Sequence, residues 1–135
     1  MRVVLDTNVV VSGLFFSGPP SVILEEVFSG RVAIVLTAGI IDEYMRVVAE
    51  LAKRYPRVDA EALLDEIIRR GEVRPSVTLL HSICVDPSDD KFFECAVAGK
   101  AKLIVSGDRH LLDASGTFGV EVLTPRAFVE NYLQG

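Results

Sequence analysis

At 135 residues, half of them hydrophobic, the chain has the size of one domain and can bury a core without covalent staples. A formal net charge of -5 excludes a protein that coats nucleic acid by bulk positive charge, and the two cysteines, Cys84 and Cys95, have neither zinc-type spacing nor the number for a disulfide framework. Before Asp6 the apolar run is too short for a signal peptide, and no later run has the length of a membrane span, so the expectation is a single domain over 1–135, without a membrane segment, cytoplasmic, with free thiols.

In chain order, Val3, Val4 and Leu5 read as a buried strand that runs directly into Asp6, Thr7 and Asn8. Val9 to Phe16 stays apolar, and Leu14, Phe15 and Phe16 beside a Pro-rich turn suggest a self-association surface. The turn Ser17-Gly18-Pro19-Pro20 leads to a helix over Ser21–Phe28, closed by Ser29-Gly30. A β-branched strand over Val32–Leu36 follows, then a helical pattern from Ala38 to about Arg54, where Pro56 stops it.

Asp59 to Arg70 has Ala62, Leu63 and Ile67 at helical spacing, with Asp59 as its cap and Gly71 as its stop. The reading weakens from Glu72 to Val85, which holds a short strand within Val77–Ile83 or is a connector. Asp86-Pro87-Ser88-Asp89 opens a helix through Gly99, Lys102–Ser106 is a second strand ending on an acid, Asp108, and Val120–Leu123 is a last strand. Thr124-Pro125 caps a final helix to Leu133. Strands alternating with helices imply an α/β fold in three layers, α/β/α, Rossmann-like, around a central, mainly parallel sheet.

Acids at the carboxyl ends of buried strands sit in the crevice where open α/β sheets do their chemistry. Alone, Asp6 or Asp108 is an ordinary turn residue, and Asn8 an ordinary cap. On the helix of Glu43, the residues Ile40, Tyr44, Val47, Val48 and Leu51 make the apolar stripe; Asp42 falls opposite it and Glu43 on its edge, where a helix Glu is otherwise a surface residue. With a helix starting at Ser88, Asp89 lies on the stripe of Phe92, Phe93 and Ala96, while Asp90 points to one side and Lys91 and Glu94 face solvent. The bland alternative there is a cap. Asp6, Glu43, Asp89 and Asp108 together form a candidate catalytic and metal set, with Asn8, Asp86, Asp90 and Ser106 in reserve. Carboxylates held close raise one another's pKa unless a cation neutralises them, and hard oxygens suit Mg²⁺ or Mn²⁺ better than zinc.

Other chemistries lack their signatures. His81 and His110 are isolated, no glycine-rich phosphate loop follows the first strand, and there is no nucleophile elbow. A phosphatase with an aspartyl nucleophile would want an acid where Asn8 stands, although a metal-dependent phosphatase or small-molecule hydrolase remains the competing enzyme class. A non-catalytic binding module would have no use for four converging carboxylates.

Val-Leu-Asp-Thr-Asn at 4–8, Glu43, Asp-Pro-Ser-Asp-Asp-Lys-Phe at 86–92 and Ile-Val-Ser-Gly-Asp at 104–108 together resemble the PIN-domain family, and more narrowly the VapC-like toxins of prokaryotic toxin–antitoxin systems. The resemblance covers nearly the whole chain and is thinnest over Tyr55–Ile83. It implies a ribonuclease that uses Mg²⁺ or Mn²⁺, a homodimer, and, for a true toxin rather than an RNA-processing nuclease, an antitoxin protein as partner. Carried onto this chain, the family's acids fall on Asp6, Glu43, Asp89 and Asp108, with Asn8 and Ser106 beside them. The RNA backbone would meet local cations, with Arg46, Lys53, Arg54, Lys91 and Arg109 as candidates among charges that are otherwise solvated helix faces.

Overall fold

The computed structural model describes residues 1–78 and 87–133. Asp86, His81, Cys84 and most of the strand expected within 77–83 lie outside the described residues; Val77 and Thr78 carry no regular structure.

Five strands form the sheet: β1 (Arg2–Leu5), β2 (Ala33–Leu36), β3 (Glu72–Val73), β4 (Leu103–Val105) and β5 (Glu121–Leu123). Their order is β3-β2-β1-β4-β5, and all four pairings are parallel. Val3, Val4 and Leu5 are fully buried, as the continuous apolar run requires of a strand covered on both faces.

The helices are α1 (Thr7–Phe15), α2 (Pro19–Ser29), α3 (Ala38–Ala52), α4 (Ala60–Arg70), α5 (Asp90–Ala98), α6 (Arg109–Asp113) and α7 (Pro125–Phe128), the last widening into a π-type turn over Val129–Leu133. The crossovers from β1 to β2 and from β2 to β3 move the same way across the sheet, so right-handed connections put α1 to α4 on one face. The chain then returns past β1 to β4, which places α5 on the other face, packed on β1, β2 and β4. This reversal opens a crevice between the carboxyl ends of β1 and β4.

Several expectations change in detail. The segment after Asp6 is a helix, α1, although Val9, Val10 and Val11 are β-branched; burial of its apolar face outweighs that weak local preference. Leu14 and Phe15 belong to the core, leaving only Phe16 of the expected surface trio exposed. Asp59 occupies the N-cap position of α4 without a side-chain cap hydrogen bond, whereas Thr124 does cap α7, accepting from the Ala127 N–H at 3.1 Å.

Two glycines let helices come close. At Gly13 a Cβ would lie 2.6 Å from Leu24 Cδ1, so α1 rests directly on α2. At Gly99 a Cβ would lie 2.1 Å from Val35 Cγ1, so the end of α5 sits on β2. Cys95 is buried in α5, where burial pushes its thiol up to about 12. Among the described residues, no single helix is long and apolar enough to cross a membrane.

Candidate active site

Asp6 leaves β1 at the crevice, and its backbone N–H still donates to the Val105 carbonyl at 3.0 Å, which ties the end of β1 to the end of β4. Its side chain is 6% exposed. The buried hydroxyl of Ser106, just beyond β4, donates to Asp6 Oδ2 at 2.6 Å and accepts the Asp108 N–H at 2.9 Å. Asp108 in turn accepts the His110 N–H at 2.8 Å and caps α6. One hydroxyl therefore fixes the acid at the end of one strand and the backbone that carries the acid of the next.

Burial raises the Asp6 carboxyl above its ordinary value. The Ser106 hydrogen bond pulls the other way, and the charges of Asp108 and then Asp89 push it further up. Asp6, Asp89 and Asp108 thus share one electrostatic neighbourhood, reached from β1, from the turn before α5 and from the end of β4.

Glu43 is placed by its neighbour. Tyr44, fully buried, donates its hydroxyl to the Leu5 carbonyl and clamps α3 to the end of β1. Glu43 then accepts from the Thr7 hydroxyl through Oε2 and takes Lys91 Nζ at 2.7 Å through Oε1. Burial acts to raise the Glu43 carboxyl, but Lys91 and Thr7 together outweigh it and hold it below the usual range.

Lys91 is therefore not a solvent-facing charge. Its ammonium also donates to the Ser88 carbonyl at 2.7 Å and lies 5.3 Å from the centroid of the Phe92 ring. The cause is a wider buried side of α5: Cys95 is buried with Phe92, Phe93 and Ala96, so Lys91, four residues before Cys95, and Asp90, three before Phe93, lie along that side. Pro87–Asp89 form a short 3-10 turn, so only Asp89 leaves the helical phase counted from Ser88. Asp90, expected to point aside, is 8% exposed, while Asp89 is partly exposed. The charge of Asp89 still acts on Asp6, whereas that of Asp90 acts on Glu94, whose carboxyl is raised by burial and then by Asp90.

Asn8 is exposed, and among the described residues no hydrogen bond joins it to Asp6; Ser106 does that orienting work. His110 is exposed and contributes its backbone, not its ring, to Asp108. Thr7, Tyr44 and Lys91 were not expected at the site. Thr7 carried a signal, since it sits between two candidate residues; Tyr44 read only as apolar stripe, and Lys91 only as a phosphate contact.

The PIN-domain family model matches residues 2–110. The chain belongs to the PIN-domain family. No curated protein matches it. Among solved structures, it is similar to PAE2754 from Pyrobaculum aerophilum, with 18% identity and a TM-score of 0.63 over 99% of this chain and 91% of that one. It is similar also to a chain in VapBC2 from Rickettsia felis bound to a DNA fragment from their promoter, with 15% identity and a TM-score of 0.62 over 92% and 98% of the two chains. At such identities these two are likenesses of fold.

PIN domains are in general nucleases that use divalent metal ions. In this PIN domain the donor chemistry fits such an ion: the crevice offers hard carboxylate oxygens, and the buried Asp6 is held against the charges of two other acids that a cation would neutralise. Among the described residues, no three His, Cys, Asp or Glu side chains close into a metal cage. The four acids expected to converge are thus not drawn together on one point among the described residues.

Proposed function

We propose that this PIN domain is a Mg²⁺- or Mn²⁺-dependent ribonuclease that hydrolyses RNA phosphodiester bonds, and that it serves as the toxin of a type II toxin–antitoxin system. The observation that carries the nuclease reading is the buried Asp6, linked by Ser106 to the segment bearing Asp108, its carboxyl raised by burial and further by the charges of Asp108 and Asp89. Asp6, Asp108 and Asp89 would hold the ion, and Glu43 would complete the acid set. A divalent ion, when bound, supplies the charge that offsets the extra negative charge of the transition state and makes water acidic enough to act near neutral pH.

The chain's own residues have distinct parts. Ser106 holds Asp6 in one orientation, Tyr44 fixes α3 against the strand end, and Lys91 with Thr7 keeps Glu43 ionised. The toxin role, an antitoxin partner and a homodimer rest on the resemblance to VapC-like proteins, supported by the likeness of fold to a chain of VapBC2.

A labelled single-stranded RNA tests the reading directly. Cleavage should need Mg²⁺ or Mn²⁺, stop in EDTA, and be abolished by Asp6→Asn and by Asp108→Asn, both of which should keep the fold. Cleavage that survives either substitution or ignores EDTA refutes it.

A further inference from the structure

A groove lies between α1 and α3. On α3 and the turn after it, Glu43, Arg46, Glu50 and Arg54 follow one another at helical spacings, which at about 100° per residue keeps them on one stripe. Asn8 and Val11 of α1 face Arg46, Leu51 and Arg54 across a cavity of about 540 Å³. None of the four acids lines this cavity, but Asn8 stands two residues from Asp6 and the charge of Arg46 acts on Glu43, so the groove neighbours the acids. Ala52, the end of α3, lies roughly 14 Å along from Glu43 at the helical rise per residue, and Arg54 follows in the turn.

The arginines of the groove are open to solvent, although the charge of Arg46 also acts on Glu43. Among the described residues, Arg46 and Arg54 are exposed and form no ion pair, while other cations such as Lys91 and Arg2 have carboxylate partners. The carboxylate that lines the cavity, Glu50, has Lys53 at 3.7 Å. Beyond Arg54 stand two half-exposed rings, Tyr55 at 40% and Phe16 at 49%, packed edge to face with centroids 5.3 Å apart.

Guanidinium groups spaced along a groove and ending on exposed aromatic rings suit a single strand, whose phosphates take the cations while a base stacks on a ring. An acidic peptide would answer to the arginines but needs an aromatic side chain of its own to stack on Tyr55, whereas every nucleotide carries a base. We propose that the α1/α3 groove is the track that holds the RNA strand leading away from the scissile bond, with Arg46 and Arg54 on phosphates and Tyr55 with Phe16 under a base. The proposal rests on the ribonuclease reading and names where that substrate lies.

The test measures binding apart from cleavage, by the fluorescence anisotropy of a labelled short oligouridylate in EDTA. The double variant Arg46→Ala/Arg54→Ala should bind about tenfold or more weakly, and its salt dependence should be shallower by about 1.4 in log–log slope, about 0.7 for each lost phosphate contact. Tyr55→Ala should weaken binding on the order of 5- to 150-fold with the slope unchanged, since stacking releases no ions. Lys102→Ala, exposed near the opposite end of the strands, should behave as wild type. In metal-supported turnover Arg54→Ala should raise KM and leave kcat, the mark of binding made equally in ground and transition states.

Wild-type affinity and slope in the double variant would overturn the proposal. So would normal RNA binding by the double variant together with lost binding of polyglutamate, which would assign the groove to an acidic protein. If wild type cleaves RNA and the groove variants bind normally, the groove alone fails; if wild type binds RNA through the arginines yet never cleaves it, the ribonuclease reading fails and the groove stands.

Discussion

Ser106→Ala removes one oxygen from a fully buried position and breaks two bonds at once: the donation to Asp6 Oδ2 at 2.6 Å and the acceptance of the Asp108 N–H at 2.9 Å. A hydrogen bond to a charged group contributes about 1.5 to 3 kcal/mol. The stranded N–H adds a smaller cost, because Asp108 is only partly buried and water in the crevice can reach it. A net loss of about 2 to 4 kcal/mol follows, which for a chain of this size lowers Tm by roughly 7 to 14 °C at about 3.5 °C per kcal/mol.

The loss should also depend on pH, and the sign is fixed. The folded Asp6 carboxyl already lies above its ordinary value through burial, so its protonated form favours the fold at low pH and this favour disappears as pH rises through the folded pKa. Without Ser106 the folded pKa climbs further, since that hydrogen bond is what lowers it. The gap in stability between wild type and Ser106→Ala must therefore widen from acid toward neutral pH. Thermal melts in EDTA across that range are the assay. A gap that is constant, or widest at acid pH, would refute the account of Asp6 as an ionised buried carboxylate oriented by Ser106.

Gly99→Ala places a methyl 2.1 Å from Val35 Cγ1 and should cost about 1 to 3 kcal/mol through overpacking, read as a lower urea midpoint with unchanged m; an unaltered midpoint would mean that α5 does not sit on β2 as described. Asp89→Asn should lower the RNA cleavage rate about 10²-fold or more and Asp90→Asn clearly less, since the charge of Asp89 acts on Asp6 and that of Asp90 on Glu94; single-turnover rates in the reverse order would place Asp90 at the ion. Light scattering at micromolar concentration should give twice the chain mass, and a monomer mass would remove the homodimer.

Much of this arrangement could be read from residue order, for physical reasons that differ by element. β1 and β4 were legible because a strand buried on both faces is a continuous apolar run, and each ends on an acid. β3 has two residues, one of them Glu72, and α6 has five, so neither offers a period long enough to detect. α1 was hidden because its β-branched residues fit a strand as well as a buried helix. Within the site, Asp6 and Asp108 follow from strand ends, whereas the burial of Asp90 and the inward position of Lys91 depend on Cys95 joining the buried side of α5, which a stripe of Phe92, Phe93 and Ala96 alone leaves out. The roles of Tyr44 and Ser106 appear only when two distant segments meet.

Isothermal titration of the metal-free protein with Mn²⁺ tests most directly whether the acids gathered at the ends of β1 and β4 are a divalent-cation site. Wild type should bind the ion with one saturable phase, and Asp6→Asn and Asp108→Asn should each remove that phase while their circular dichroism spectra stay native. Undiminished Mn²⁺ binding by both variants would contradict the account, because the ion would then be held by other residues.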